Sequence, residues 1–590
     1  MDFLIMNSMG FPILSALIFL PLAGALILLC IPGDTAAKNW TMLVTVVTAL
    51  VSLPLYWNFD ASTAKYQFGE HASWISALNI NYTLGIDGIS LLLVLMTTLI
   101  MPLCVLGSWR YIDKRVKEFM ICLLLMETSM LGVFMALDFI LFYLLWEAML
   151  IPMYLLIAVW GGPRKVYAST KFFLYTLAGS VLLLVAIIGL YLDQGTFSIP
   201  ALMGQDYSTT FQIVVFLAFF LAFAIKVPMF PFHTWLPAAH VEAPTAGSVI
   251  LASILLKMGT YGFLRFCLPI TPEATILFIP YILWLSVVGI LYGGFTALAQ
   301  QDMKKLIAYS SVGHMGFVTL GIFVLNQQGI EGAILQMINH GITTGALFFC
   351  VGMIYERTHS RELDAAAGLG KYMPVYVSFL AFFSLSSLAF PGTNSFVGEF
   401  MILAGGFADN KIVTAFAIPG GGIGCRVYVP HAPEGGVGQA CESRSFRDFG
   451  SQCPGNCNPG ALALLRFLDW SVARAFPEGD ERERYPPHRA GGVCLGWGCF
   501  RRKADDSVAE FYQVFKELRS GCQIADTATI SLPLSMPVAA LNVVVIFEQR
   551  LTPRKTEYPH DAGRPNRQAH CPAPESVSRR EPSCRQPCRC

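Results

Sequence analysis

Long apolar runs with few charges follow one another through the first 418 residues of this chain. Because an α-helix rises ~1.5 Å per residue, roughly 20 apolar residues cross the ~30 Å hydrocarbon core of a bilayer. The sequence is 55% hydrophobic and only 13% charged, which is outside the range of ordinary soluble proteins. We therefore predict an all-α polytopic membrane protein, and the net charge of +1 does not suggest a nucleic-acid partner.

Polar breaks between the apolar runs divide this part of the chain into twelve predicted spans. They cover 11–31, 40–57, 87–107, 119–136, 138–160, 168–192, 210–230, 247–268, 277–298, 306–325, 328–354 and 373–418. Proline lacks a backbone donor, so it breaks a helix inside the membrane only where protein or water satisfies the freed carbonyls. Pro228 and Pro231 predict a break at the seventh span, and Pro391 predicts one in the twelfth.

Basic residues outside the membrane core favour one side of this twelve-span map. The side that they favour carries Lys38, Arg110, Lys114, Arg115, Lys117, Arg164, Lys165, Lys171, Lys304, Lys305, Arg357, Arg361 and Lys371. The other side carries Lys65, Arg265 and Lys411. The excess of basic residues predicts that the first side is cytoplasmic and that the N-terminus lies outside. We expect a bacterial inner membrane as the location.

The composition changes near residue 418. Only 18 of the 40 lysines and arginines and 5 of the 16 cysteines precede that point. Residues 420–439 can be encoded by codons that, read one nucleotide later, spell AVALAAAYMFRMLRKVVWG, an apolar helix followed by a basic loop. We therefore interpret 419–590 as a largely disordered tail produced by a frameshift, with a genuine extramembrane tail as the alternative. Its cysteines, such as Cys453 and Cys457, lack a convincing zinc-ligand spacing, so no metal site is expected.

Five ionisable residues lie deep inside the predicted spans: Glu147, Lys226, Lys257, His340 and Glu399. A charge at the centre of a bilayer costs at least a few kcal/mol, so it is seldom retained without a partner or a function. The helical rise puts Glu147 ~14 Å from the outer end of its helix and Glu399 ~18 Å from the opposite face. We expect the five side chains to form a row at one depth that carries protons.

Each member of the row has a predicted role. A buried lysine and a nearby carboxylate respond to each other's charge, so a change at the carboxylate can switch the lysine between holding and releasing a proton. Glu147 is therefore expected to modulate Lys226, while Lys257 passes the proton onward. His340 would relay the proton to Glu399, the terminal acid. The alternative is that Glu147 and Lys226 form a static ion pair that fixes helix packing.

Other polar residues leave more than one interpretation open. His233, His240 and Glu242 lie in a proline-rich turn that is either a proton entrance on the cytoplasmic side or a solvated loop. Lys304, at the start of a span, is expected to extend its ammonium to the interface. His314 is either a proton relay or a hydrogen-bonding residue between packed helices.

Four motifs within residues 1–418 resemble the antiporter-like membrane subunits of respiratory complex I, the proton-pumping NADH:quinone oxidoreductase. They are LLWEAMLIPMYLLIAVWGG, AFAIKVPMFPFHTWLPAAHVEAPTAGSVILASILLKMGTYGFLRF, KKLIAYSSVGHMGF and FPGTNSFVGEF. The resemblance implies an antiporter-like bundle of fourteen helices with two inverted five-helix repeats, each containing a broken helix. Because the similarity stops at residue 418, we expect the second repeat to be truncated.

The resemblance assigns roles to the same five residues. The WEAMLIP glutamate maps onto Glu147 and pairs in the family with the lysine of the KVP motif, Lys226. The LLKMGTYG, NHG and VGEF motifs place Lys257, His340 and Glu399. Chains L and N of complex I and the cation/proton antiporter subunits usually have lysine in the VGEF motif. The glutamate therefore favours a different complex I subunit over those proteins.

The resemblance also implies where the redox chemistry lies. NADH, FMN, iron–sulfur clusters and quinone are expected in partner chains, since residues 1–418 have no Gly-rich dinucleotide motif and no cysteine cluster. The expected partners are other membrane and peripheral subunits of complex I, especially neighbouring chains L and N, and the lipid bilayer. The chain would then be a proton-translocating subunit of the enzyme without a redox centre of its own. The alternatives are a subunit of a cation/proton antiporter and, if the altered C-terminus abolishes pumping, a passive assembly scaffold.

Overall fold

The computed structural model describes residues 3–7, 9–363 and 369–428. For residue 371 and residues 421–428 only the backbone is described. The predicted tail lies outside the described residues from position 429 onward, and so do the cysteines for which a metal site was considered.

Helices form nearly all of the regular structure in the described part of the chain. The first group is α1 (Ile13–Cys30), α2 (Asp34–Trp57), α3 (Gly88–Gly107), α4 (Val116–Met135), α5 (Phe139–Ala148), α6 (Leu150–Trp160), α7 (Lys165–Gln194), α8 (Ile199–Leu202), α9 (Thr209–Lys226) and α10 (Trp235–Glu242). The second group is α11 (Thr245–Ile250), α12 (Leu256–Gly262), α13 (Leu268–Ile270), α14 (Pro272–Leu298), α15 (Met303–Phe323), α16 (Gln327–Thr358), α17 (Leu369–Tyr372), α18 (Pro374–Ser387), α19 (Asn394–Asp409) and α20 (Lys411–Tyr428).

Eleven helical segments among the described residues are long and apolar enough to cross a membrane. They match the first eleven predicted spans to within a few residues at most ends, and they confirm the predicted helical multi-span class. The predicted twelfth span, 373–418, is divided differently. It breaks after α18 as expected, but α19 ends at Asp409 and α20 begins at Lys411. The polar sequence Asp-Asn-Lys at 409–411 makes this turn, and the predicted domain boundary at 418 falls inside α20.

A small sheet, which the sequence analysis did not predict, covers the end of the bundle where the N-terminus lies. It contains β1 (Leu4–Met6), β2 (Tyr66–Ile75) and β3 (Ile80–Ile86). β2 and β3 form an antiparallel hairpin, and β1 pairs with β2 in parallel. Leu4 and Tyr66 pack with Leu137, which precedes α5, so the sheet is anchored on the helices.

Loops that the sequence analysis placed on the strongly basic side contact one another. The Lys38 ammonium donates to the Trp109 carbonyl at 2.6 Å, and the Met303 N–H donates to the Arg361 carbonyl at 2.8 Å. Lys38 lies in the first turns of α2 and Met303 begins α15, whereas Trp109 and Arg361 lie in the connections that follow α3 and α16. The contacts agree with the predicted alternation of spans, and we call this end of the bundle the basic side.

Close packing at Gly341 brings α16 against the segment between α11 and α12. That segment, Leu251–Leu255, is a π-helical turn. A Cβ on Gly341 would lie 3.1 Å from the Ser253 carbonyl oxygen, and the Ser253 hydroxyl donates to the Gly341 carbonyl at 2.8 Å. The contact places His340 beside Lys257.

Candidate functional site: a buried row of acids and bases

Glu147 lies where the fifth span is interrupted. α5 ends at Ala148 and α6 begins at Leu150. Pro152 has no N–H to donate to the Ala148 carbonyl, so the helical hydrogen-bond ladder is incomplete next to Glu147. The Glu147 Oε1 atom is buried and has no hydrogen-bond partner among the described residues. One oxygen of the carboxyl group is thus unpartnered, while the group as a whole interacts with the Tyr143 hydroxyl.

Lys226 is the last residue of α9 and only 3% exposed. Its Nζ lies 4.9 Å from the centroid of the Trp146 ring and 3.9 Å from the Met149 Sδ. An ammonium over an indole face is stabilised by a cation–π interaction. Both contacts come from the residues that flank Glu147, so the two charged groups are neighbours.

The predicted pair of Glu147 and Lys226 is not a closed ion pair. None of the ion pairs between described residues, taken to 4.0 Å, joins them, although the carboxylate acts electrostatically on the ammonium. The reason is that the Lys226 head group sits against Trp146 and Met149 instead. The static ion pair considered as an alternative is therefore absent from this part of the structure.

The first helix break follows Lys226. The Met229 N–H donates to the Ala224 carbonyl at 2.9 Å, which leaves the Ile225 carbonyl without its usual helical donor. The Trp235 indole N–H supplies that hydrogen bond at 2.8 Å from the first residue of α10. The predicted break is confirmed, and a fully buried tryptophan satisfies it.

Lys257 lies in α12 between two π-helical turns, Leu251–Leu255 and Phe263–Cys267. Such turns are rare and occur frequently at functional sites. The side chain is completely buried. Its Nζ donates to the Ala252 carbonyl at 2.6 Å and lies 2.7 Å from the His340 Nδ1. Lys257 and His340 are thus joined directly, as the sequence analysis expects.

His314 lies between His340 and Glu399. The rings of His340 and His314 have their centroids 5.6 Å apart, at an angle of 59°. The His314 Nδ1 lies 2.8 Å from the Glu399 Oε1, and its Nε2 lies 3.2 Å from the Ser387 hydroxyl. The Gln336 amide also donates to the same Glu399 oxygen, at 2.9 Å.

The proton relay through His340 stays a prediction. The hydrogen bond to the Glu399 carboxyl group comes from His314, which therefore lies in the row. Its depth could have indicated this, because ten helical residues from Lys304 correspond to ~15 Å, close to the depth derived for Glu147. The contact that places His314 in the row is its hydrogen bond to Glu399, which joins α15 to α19 across 85 residues.

The second helix break packs against α16 near His340. Asn394 is the first residue of α19. The Asn339 side-chain amide donates to the Asn394 main-chain carbonyl at 2.8 Å, and the Asn394 side-chain amide donates to the Asn339 Oδ1 at 3.1 Å. The Ser386 hydroxyl, at the end of α18, donates to the Asn394 Oδ1 at 2.7 Å. These bonds fix both halves of the broken helix beside the row.

The proline-rich turn after Lys226 is not a solvated loop. His233, His240 and Glu242 are 3%, 0% and 5% exposed, because this segment folds back into the bundle as α10. The His240 ring stacks on Phe348 with centroids 4.5 Å apart, and it is close enough to Lys257 to be affected by that charge. The surroundings of α10 are therefore protein.

The expectation for Lys304 is also wrong. Its side chain does not extend to the interface but is only 6% exposed, and its Nζ donates to the Ala243 carbonyl at 2.7 Å. Ala243, the residue directly after α10, lies next to the start of α15. A carbonyl group there offers a closer partner than water does.

A multi-span bundle with two broken helices and a buried row of acids and bases defines the class of antiporter-like membrane proteins. The family described as NADH:quinone oxidoreductase/Mrp antiporter, TM, matches residues 136–424. NADH-quinone oxidoreductase subunit M of Rhodobacter capsulatus is 51% identical over 427 residues, which cover 69% of this chain and 83% of the relative. NADH-ubiquinone oxidoreductase chain 4 of Chondrus crispus is 49% identical over 400 residues, which cover 67% of this chain and 81% of the relative.

A solved structure agrees with these sequence matches. A chain of respiratory complex I from Thermus thermophilus with bound NADH superimposes with a TM-score of 0.65 and 32% identity, covering 70% of this chain and 86% of that chain. The chain belongs to the NADH:quinone oxidoreductase/Mrp antiporter transmembrane family. The resemblance inferred from the four motifs is confirmed.

Proposed function

We propose that this chain is the antiporter-like subunit M, or chain 4, of NADH:quinone oxidoreductase, and that it moves protons across the membrane while partner chains reduce quinone. The observation that carries the proposal is the buried path from Lys257 through His340 and His314 to Glu399. Two of its three steps are contacts of 2.7 and 2.8 Å between groups that can exchange a proton. Such groups are costly inside a membrane and are retained there for function.

The half of the row that contains His340 carries the proton outward from Lys257. The Lys257 ammonium can transfer a proton to the His340 Nδ1. The His340 ring then releases a different proton from its Nε2. That Nε2 is buried without a hydrogen-bond partner among the described protein groups, and internal water binds at such atoms. Water beside His340 would reach His314 by exchanging with the Ser387 hydroxyl at the His314 Nε2, while the Nδ1 stays bonded to the Glu399 carboxyl.

The other half of the row connects Lys226 to Lys257 through packed backbone. Gly259 lies two residues after Lys257 and has no side chain at its contact with α9. A Cβ there would lie 3.0 Å from the backbone nitrogen of Val227, the neighbour of Lys226. The two lysine-bearing segments are therefore adjacent, and proton transfer between the side chains would use water.

Glu147 controls the first step through its charge. Because no closed ion pair holds Lys226, a change of protonation or position at Glu147 alters how strongly the ammonium keeps its proton. Energy released by quinone reduction in partner chains would act on Glu147 and Lys226. NADH, FMN, iron–sulfur clusters and quinone would be bound by partner chains, and this chain would supply no electron carrier.

The partners and location follow from the same proposal. The chain would lie in the membrane arm, with chains L and N as neighbouring antiporter-like subunits and peripheral subunits as the source of electrons. The basic side would face the cytoplasm of a bacterial cell, with the protein in the inner membrane. The long apolar helices support a multi-span protein in any of these membranes.

Substitution of Lys226 tests the proposal. In membrane vesicles that contain the assembled complex, Lys226→Ala should lower NADH-driven proton uptake by about tenfold or more, because the first proton-holding group is lost. Glu147→Gln should cause a similar loss, since the charge that acts on Lys226 disappears. Proton uptake is followed with a pH-sensitive dye, and quinone reductase activity and subunit content are measured on the same vesicles.

Lys411→Ala is the matched control, because Lys411 is an exposed lysine at the start of α20. We expect its proton uptake to equal that of the unmodified chain. Unchanged proton uptake in an assembled Lys226→Ala complex would refute the proposed role of the row.

A cation/proton antiporter subunit is the second candidate, because the family description also includes Mrp antiporters. Such a protein would share Glu147, Lys226 and Lys257, whereas Glu399 argues against it. Affinity purification of the tagged chain separates the candidates. Recovery of NADH-oxidising peripheral chains supports the complex I subunit, and recovery of other antiporter chains without them supports the second candidate.

A further inference from the structure

The C-terminal end of α10 is held by donors from outside the helix. A helix leaves its last four carbonyls without helical partners, and Pro244 directly after this end has no N–H to offer. The His240 carbonyl accepts from the Ser248 hydroxyl at 3.1 Å, and the Glu242 carbonyl accepts from the Gly162 N–H at 2.9 Å. Two cations complete the set.

Lys304 and Arg361 are these cations. The Lys304 ammonium donates to the Ala243 carbonyl at 2.7 Å, and the Arg361 guanidinium donates to the Val241 carbonyl. The C-terminal end of a helix carries partial negative charge, so cations are the favoured donors there. The geometry is thus both a set of hydrogen bonds and an electrostatic match.

The two cations form one unit on the basic side. The Met303 N–H donates to the Arg361 carbonyl, and the Arg361 guanidinium lies 3.5 Å from Asp302. Asp302 caps α15 by accepting from the Lys304 N–H at 2.8 Å. Lys304 therefore belongs to a rigid helix start that is tied to the end of α16.

α10 connects the two lysines of the row. At its first residue, Trp235 bonds the carbonyl of Ile225, next to Lys226. Beyond its last residue, the chain turns at Pro244 into α11, which leads to Lys257 within the same span. A shift of α10 therefore moves the segments that carry Lys226 and Lys257 relative to each other.

We infer that Lys304 is a positioning residue, which fixes the end of α10 and thereby the separation of Lys226 and Lys257. Lys304 acts structurally on α10, and through α10 it affects proton transfer. The effect on proton transfer rests on the proposed function. Lys304 itself would hold no proton in transit, because its ammonium bonds a main-chain carbonyl and, unlike Lys257 beside His340, contacts no acid or base of the row among the described residues. An arginine at this position can donate the same hydrogen bond and keeps the charge.

Three variants of the full chain test the inference: Lys304→Met, Lys304→Arg and Lys305→Met. Lys305 is the matched control, because it is the adjacent lysine on the same helix and its backbone N–H bonds Asp302. Amide hydrogen exchange of residues 235–243 is measured on the purified chain in lipid nanodiscs. NADH-driven proton uptake is measured on vesicles that contain the assembled complex.

We expect Lys304→Met to exchange about tenfold faster in this segment, the factor that corresponds to one lost hydrogen bond to a charged group. Proton uptake per NADH oxidised should fall with it. Lys304→Arg should restore both quantities, and Lys305→Met should leave both unchanged.

Exchange in Lys304→Met that matches the unmodified chain would overturn the positioning role. Faster exchange with unchanged proton uptake per NADH would overturn its link to proton transfer. Absence of NADH-driven proton uptake in the unmodified complex would instead overturn the proposed function, while the exchange comparison would still decide whether Lys304 positions α10.

Discussion

His314 decides whether the second half of the row is continuous, and its two hydrogen bonds suit a residue that changes protonation state. The Ser387 hydroxyl at its Nε2 can donate or accept, and the Glu399 carboxyl at its Nδ1 can do the same when it is protonated. The ring can therefore keep both hydrogen bonds as a cation and in either neutral tautomer. A proton enters at Nε2, where water from the side of His340 exchanges with the Ser387 hydroxyl, and leaves through Nδ1 to Glu399.

His314→Ala should lower NADH-driven proton uptake by about tenfold or more, because the only ring bonded to Glu399 among the described residues is removed. Ser387→Ala leaves the bond between His314 and Glu399 in place. We expect it to lower uptake by about two- to fivefold, the effect of one ordinary hydrogen bond. Proton uptake and quinone reduction are measured together on vesicles with the assembled complex.

The ratio of the two variants is informative. Equal losses in His314→Ala and Ser387→Ala would contradict the relay and would indicate that His314 acts only by holding α18 near α15.

At the scale of elements, each broken helix begins its second half with a side-chain hydrogen bond. Trp235 satisfies a carbonyl of α9 at the first break, and Asn394 pairs with Asn339 of α16 at the second. The second break also contains Gly392 with a φ of +94°, in the region that favours glycine. Side chains of the second halves thus tie both breaks to neighbouring helices, although Phe390, Pro391 and Gly392 are themselves exposed.

Gly392→Ala should destabilise the second break by about 1–2 kcal/mol, because a Cβ strains a backbone with positive φ even in open space. Thermal unfolding of the purified chain in detergent, monitored by the loss of native fluorescence, should show a lower midpoint. Gly88→Ala is the control: Gly88 also has open space around it but lies in the first turn of α3 with ordinary φ. A midpoint for Gly392→Ala at or above that of Gly88→Ala would contradict the argument.

The spans and breaks could be predicted because length, apolarity and proline act locally. The hairpin of β2 and β3 could not be predicted from apolar runs, because it lies in the polar connection between α2 and α3. The contact of Lys304 could not be predicted for a different reason. Its partner, the Ala243 carbonyl, lies 61 residues away, and no local pattern reveals which carbonyl a lysine will meet.

The site shows the same division between local and distant information. Four of the five predicted residues lie in helical segments long enough to cross a membrane, and the fifth, Glu399, lies in α19. Their common depth stays a prediction. Depth along a helix did not reveal that Lys226 rests on Trp146 or that His314 reaches Glu399, because both contacts depend on how helices rotate against each other. The π-helical turns around Lys257 also left no pattern that the sequence analysis used.

At the scale of the whole molecule, the frameshift hypothesis concerns the C-terminal part of the chain. The family match ends at residue 424, within the last described helix. Sequencing the coding DNA across codons 410–445 should find, one nucleotide later, a frame that encodes an apolar helix followed by a basic loop. An uninterrupted frame, together with peptides of residues 429–590 in the expressed protein, would disprove the frameshift.

The span that carries Lys257 is held at both ends. Lys304 holds the chain at Ala243 on the basic side. At the opposite end, the Arg265 guanidinium lies 2.6 Å from the Asp87 carboxylate, which precedes α3, and donates to the Tyr66 hydroxyl at 2.9 Å. This second contact connects the span to the sheet, so the small sheet also helps to set the depth of the row.

Asp87→Asn should destabilise the protein by about 2 kcal/mol at pH 7, because Arg265 would remain largely buried without its anionic partner. Burial raises the pKa of Asp87, but the adjacent Arg265 charge and the Ser90 N–H outweigh it, so the pKa lies below its usual value. A lowered pKa contributes stability above the unfolded-state value of about 3.9, and that stability is lost as the pH falls through the lowered pKa.

The difference in thermal midpoint between the unmodified chain and Asp87→Asn should therefore be large at pH 7 and should shrink below about pH 4. Asp206→Asn, at an exposed position in the connection between α8 and α9, should leave the midpoint unchanged at both pH values. If the Asp87→Asn difference were the same at pH 3 and pH 7, the stabilisation would not come from the ionised carboxylate. The end of the Lys257 span opposite the basic side would then be held by packing and by Tyr66 rather than by charge.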